Sequence, residues 1–123
     1  MNSVYLNGRL AADPVLKSSA NGHHYVYFTV ANNEKTSKDS PAYTSFIRCI
    51  AWGKTAELIC RVLNKGSRIW IDSANLIASE YTDKNGTKRY EMKVQVYKFD
   101  FVASDTKQKT SVFDSFGENF EEV

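Results

Sequence analysis

Five runs of β-branched and aromatic residues, split once by a helical stretch, constrain this chain more than any other feature. They occupy residues 4–10, 25–31, 46–52, 68–71 and 90–102, the composition expected of strands. Asp13-Pro14 ends the first run, because proline removes a ladder donor. Asn21-Gly22 is a turn signal ahead of the second. The polar stretch 32–44, with Ser40-Pro41 near its end, predicts a long mobile loop. The fourth run resumes over residues 76–81, and Asp83-Lys84-Asn85-Gly86 then predicts a hairpin, since Asn-Gly accepts positive φ. Between the third and fourth runs, the pairs Leu58/Val62 and Ile59/Leu63 predict a helix over about residues 54–63, stopped by Gly66.

Three strands, a helix and two strands is the order of an all-β, five-stranded OB-fold barrel with its helix between strands 3 and 4. Other small barrels share the strand count. At 123 residues the chain has enough sequence for one core. Residues 1–103 are expected to form that barrel domain. Beyond them, Ser104 to Ser111 is polar and aperiodic, so residues 104–123 read as a flexible acidic and aromatic tail.

Charge divides along the same line. Residues 1–112 hold all 16 Lys and Arg against ten of the 14 acids, leaving +6. Residues 113–123 hold the other four acids, Asp114, Glu118, Glu121 and Glu122, and carry −4. A basic body suits a polyanion and an acidic end suits something else. A solvated basic surface with a frayed terminus is the plainer alternative.

No apolar run approaches the ~18–20 residues of a membrane span. The segment Met1-Asn2-Ser3-Val4 lacks the build of a secretory signal, so a cytoplasmic location is expected. Cys49 and Cys60, eleven apart, match neither a disulfide framework nor a metal site and read as buried thiols. His23-His24 has no ligand at metal spacing and reads as a surface turn. Gly53-Lys54-Thr55 resembles the end of a phosphate-binding loop, but the required earlier glycine is replaced by Arg48. No Ser, His and acid set has a nucleophile's context, so neither catalysis nor a cofactor is expected.

Strand side chains alternate between faces. In the third run Ile47, Cys49 and Ala51 suit a core. Phe46, Arg48, Ile50 and Trp52 take the other face, and large aromatics there imply a covering ligand or subunit. A strand covered on both sides by its own chain is the alternative. A single-strand binder needs aromatic platforms interleaved with Lys and Arg. Phe46-Ile47-Arg48, Trp52-Gly53-Lys54, Tyr81 before Lys84, and Lys88-Arg89-Tyr90 supply that interleaving. Trp70, alternating with Ile69 and Ile71, could be barrel surface, a subunit interface or a fourth stacking site, with interface favoured.

Taken in order, several stretches resemble the bacterial and phage single-stranded DNA-binding (SSB) family. They are Gly8-Arg9-Leu10 with Asp13-Pro14, Phe28-Thr29-Val30-Ala31, the run from Phe46 to Glu57, Lys65-Gly66-Ser67, and Tyr81-Thr82-Asp83 with Asn85-Gly86 and Lys88-Arg89-Tyr90. The resemblance spans residues 1 to about 102. It implies an OB barrel, often a homotetramer, that binds single strands with little sequence preference in replication, recombination or repair. By position, it implies stacking by Phe46, Trp52 and Tyr81. Arg9, Arg48, Lys54, Lys88 and Arg89 are the matched or nearby phosphate contacts.

Three departures stand out. The loop after strand two lacks the family's usual aromatic, and Tyr43 is an approximate stand-in. The fourth strand lacks the family's Gly and basic residues around Asp72 to Glu80 and carries one extra residue, which suggests a bulge. The tail lacks the family's ending, although Phe116, Phe120, Glu121 and Glu122 keep its acidic and aromatic chemistry for docking replication or repair proteins. These departures lean toward a phage or mobile-element version. The competing interpretation is a protein-interaction OB module of a replication or primosome complex. RNA as the ligand is a further alternative, because stacking ignores the sugar.

Overall fold

A computed structural model describes residues 1–34 and 37–105 of the chain. Strands β1 (Leu6–Leu10), β2 (Lys17–Ser18), β3 (His24–Glu34) and β4 (Tyr43–Trp52) precede the helix α1 (Gly53–Val62). Strands β5 (Arg68–Thr82) and β6 (Lys88–Phe101) follow it, and a 3₁₀ turn spans Ala103–Asp105. The sheet runs β1-β5-β6-β4-β3-β2, and β1 also pairs with β3, which closes five strands into a barrel. All pairings are antiparallel except β4 with β6. This is the OB-type order expected from the sequence, with the two-residue β2 added at the edge of β3.

Alternation fills the interior. Val26, Phe28 and Val30 of β3 join Cys49 and Ala51 of β4, Ile69 and Ile71 of β5, and Val94 and Val96 of β6 in one cluster. Ala56, Ile59 and Val62 of α1, with Leu63, complete it. Each large aliphatic buried here is worth about 1.5–3 kcal/mol. Gly53 starts the helix at φ 60°, in the left-handed region where glycine is favoured. Among the described residues no helix is long and apolar enough to cross a membrane.

Three expectations change. The loop predicted over residues 32–44 is shorter than expected: β3 and β4 stay paired out to Glu34 and Tyr43, and residues 37–42 lie outside any strand. Beyond the core both faces of this ribbon meet solvent, so polar residues occupy strand geometry without an apolar pattern. The fourth strand is continuous instead of broken. Its irregularity leaves Asp72 without a partner in β6 and Tyr97 without one in β5, and the two skips offset one another, so the ladder resumes in its earlier register. The single extra residue expected there therefore produces no net slip. The helix lies at Gly53–Val62, one residue earlier than expected.

Past β6 the chain makes one further attachment to the barrel. Asp105 Oδ2 accepts hydrogen bonds from the Arg68 backbone N–H at 3.2 Å and from Arg68 Nε at 2.8 Å. Ser67 Oγ donates to the Asp105 carbonyl at 2.9 Å. Asp105 is thus fastened to the barrel. The proposed docking residues Phe116, Phe120, Glu121 and Glu122 lie outside the described residues.

Candidate nucleic-acid interface

The outer face of β4 presents Phe46, Arg48 and Trp52, while Ile47 packs against the core and Cys49 and Ala51 are fully buried. Phe46 is 69% exposed and Trp52 44%. Ile50 shares their face but is buried, and its register neighbours are Tyr27 and Gln95. Folding has therefore left two large rings uncovered on a strand whose other side, from Ile47 to Ala51, packs into the core.

Register extends this face to both sides. On β3, Tyr25 pairs with Trp52, Tyr27 with Ile50, Thr29 with Arg48 and Ala31 with Phe46. Ala31 in turn pairs with Arg9 of β1, so Arg9, Ala31 and Phe46 form one row. On the other side, Gln95 lies beside Ile50, and alternation along β6 carries Lys93, Glu91 and Arg89 onto the same face. Tyr81 pairs with Arg89 and joins them, 50% exposed. The face thus unites Phe46, Trp52, Tyr81, Arg9, Arg48 and Arg89.

Two other sequence candidates fall elsewhere. Lys88 pairs with Thr82, one residue out of phase with Arg89, and so faces the opposite side of the hairpin, where its ammonium meets Glu80 at 3.5 Å. Lys54 lines a separate cleft of about 330 Å³ with Thr55, Leu58, Tyr97 and Phe99. Tyr43 is likewise out of phase with Phe46 and sits on the Ile47 side. Trp70 borders an open groove of about 220 Å³ with Asn7, Arg9, Ala31, Asn33 and Arg68. That groove adjoins the row that ends at Phe46.

The sequence reading missed Tyr25, Tyr27, Lys93 and Glu91. Tyr25 stands edge-on to Tyr27, with ring centres 5.7 Å apart. Arg48 Cζ lies 5.1 Å and Lys93 Nζ 4.9 Å from the Tyr27 ring centre, both within cation–π range. The signal was present: Tyr25 and Tyr27 alternate with Val26 and Phe28 as Phe46 and Arg48 alternate with Ile47 and Cys49.

Most of these cations already have partners. Arg48 Nε is 3.7 Å from Glu91, and Arg89 Nε is 3.0 Å from Asp83. Arg9 Nη1 donates to the Gly66 carbonyl at 2.8 Å. The Arg89 hydrogen bond, with the Thr87 and Asn85 backbone N–H groups, holds the Asp83 carboxyl below its usual range against a small opposing cost of burial. These ion pairs are exposed, so a phosphate can displace them at little cost.

A closed OB-type barrel with one face of exposed rings and interspersed guanidinium groups has the build of a single-strand nucleic-acid binder. The chain belongs to the Single-strand binding protein family, whose family model matches residues 1–102. It is 41% identical over 105 residues to a single-stranded DNA-binding protein of Clostridium perfringens, covering 85% of this chain and 67% of that one. A Fusobacterium nucleatum protein of the same name is 36% identical over 120 residues, covering 95% and 77%. Single-stranded DNA-binding protein 1 of Synechocystis is 33% identical over 122 residues, covering 98% of both chains.

Proposed function

We propose that this chain binds single-stranded DNA without sequence preference and protects it during replication, recombination or repair. The observation that carries this is the row of uncovered rings and cations, Phe46, Arg48 and Trp52, extended by Tyr27 and Arg89 on one sheet face. Bases stack on the rings at ~1–3 kcal/mol each, and the cations take phosphates with release of counterions. Stacking needs unpaired bases, so duplex is excluded. The protein acts by binding, without catalysis or a cofactor, in the cytoplasm of a bacterium or a phage-infected host.

It works as a homo-oligomer, a tetramer before a dimer. Exposed Leu76, Tyr90 and Met92 on the far face of the β5–β6 hairpin support self-association. Phe116, Phe120, Glu121 and Glu122 are offered to replication or repair proteins.

The test is a titration with oligo-dT and with a matched duplex, following Trp fluorescence at low and moderate salt. Quenching by the single strand alone, weakening steeply with salt, is expected. Absence of quenching at low salt would instead favour a protein partner over the aromatic face.

A further inference from the structure

Glu91 occupies an unexpected place. It lies on the ring-bearing face between Arg48 and the Tyr81–Arg89 pair. Its two oxygens serve two cations: Oε1 is 3.7 Å from Arg48 Nε, and Oε2 is 3.5 Å from Lys93 Nζ. Both cations also rest against the Tyr27 ring. The Lys93 side chain is only 12% exposed, so its position is set by packing. Two cations that share one aromatic ring and meet one anion, one oxygen each, form the arrangement a nucleotide phosphate would take.

We infer that Glu91 is an internal stand-in for phosphate, an affinity-determining residue that an incoming strand must displace from Arg48 and Lys93. The inference rests on the single-strand binding proposed above. In the free protein the carboxylate relieves repulsion between two cations packed on one ring. A bound strand bridging Phe46 and Tyr81 passes over it, and its phosphate takes the cations while Glu91 turns out to water. The carboxylate then remains near the phosphate and repels it. The site is thereby weakened by one charge, which limits affinity and eases release. Because the Arg48–Glu91 pair is partly exposed, its contribution to stability is small, and the melting curves below measure it apart from binding.

The test compares Glu91→Gln with wild type for oligo-dT affinity across a salt series, with melting curves to verify the fold. Glu91→Gln should bind about two- to fivefold more tightly at low salt. Its plot of log K against log salt should steepen by up to about 0.7, the equivalent of one more unit of net positive charge at that phosphate on a single strand. Glu57→Gln removes the same charge from the helix, where Glu57 pairs with His24, and should leave the slope unchanged. In an Arg48→Met background the gain from Glu91→Gln should shrink, because the two act on one phosphate. Equal or weaker binding by a folded Glu91→Gln protein, with an unchanged slope, overturns the inference. If wild type itself fails to bind oligo-dT, it is the broader functional proposal that falls.

Discussion

Tyr25 and Trp52 are register partners across β3 and β4, and their rings lie 5.2 Å apart, tilted by 39°. The contact gives Trp52 a fixed orientation without burying it, since 44% of the residue stays exposed. A ring supported by a tilted neighbour and still partly exposed is suited to receive a base.

Replacing that ring separates binding from folding. Trp52→Ala should cost about 1–3 kcal/mol of oligo-dT binding. It should cost about 0.5–1.5 kcal/mol of stability through the lost Tyr25 contact. Phe46→Ala, at a residue 69% exposed, should lose comparable binding with a smaller change in melting temperature. Anisotropy of labelled oligo-dT and thermal melts measure the two quantities. Unfolding of Trp52→Ala would mean that Trp52 is part of the core.

Some of this face was legible in sequence and some was not. The alternation Phe46, Arg48, Trp52 against Ile47, Cys49, Ala51 identified β4 directly, because burial leaves a period-two pattern. The same period puts Tyr25 and Tyr27 together on one face of β3, which was not drawn from it, and only the β3–β4 register sets them beside Trp52; adjacent strand residues cannot share a face, so Lys88 and Arg89 should have been divided. The paired ribbon at Asn32–Glu34 was hidden because backbone ladder bonds outside a core impose no side-chain pattern. Glu91 meets Arg48 only because barrel closure sets β4 parallel to β6. The Arg68–Asp105 pair joins residues 37 apart, beyond any local signal.

Closure itself depends on Gly8. Its strand is pinched between β5 and β3, and a Cβ there would press on the Ala31 carbonyl oxygen and lie 2.7 Å from Val30 Cγ1. The carbonyl is backbone and cannot turn aside. Gly8→Ala should therefore destabilise by about 1–3 kcal/mol, lowering the melting temperature by about 4–8 °C per kcal/mol. An unchanged melt would show that β1 shifts freely at the seam.

Cys49 is fully buried between β3 and β6, and burial pushes its thiol up to about 12. The thiolate is the reactive form. At pH 8 the native protein should leave Cys49 unalkylated by iodoacetamide, while denaturant should expose it to rapid reaction. Peptide mapping of the alkylated sites measures this. Native labelling at Cys49 would show that the sheet opens locally.

The docking of the 3₁₀ turn should be acid-sensitive. The Arg68 side-chain hydrogen bond, opposed by burial but helped by the Arg68 backbone N–H and the charges of Arg68 and Arg9, holds the Asp105 carboxyl below its ordinary range. A carboxyl with a lower pKa folded than unfolded stabilises the fold above its unfolded value, about 3.9. That stabilisation fades as pH falls through the folded value. Asp105→Asn should therefore melt below wild type at pH 7, and the gap should narrow below about pH 4. Asp83 is shifted in the same direction by Arg89 and contributes its own acid loss. The informative quantity is accordingly the difference between variant and wild type at each pH, in which the Asp83 contribution cancels. A gap that stays constant from pH 7 to pH 3 would mean that the charge on Asp105 does not hold the turn, leaving its carbonyl bond to Ser67 as the fastening.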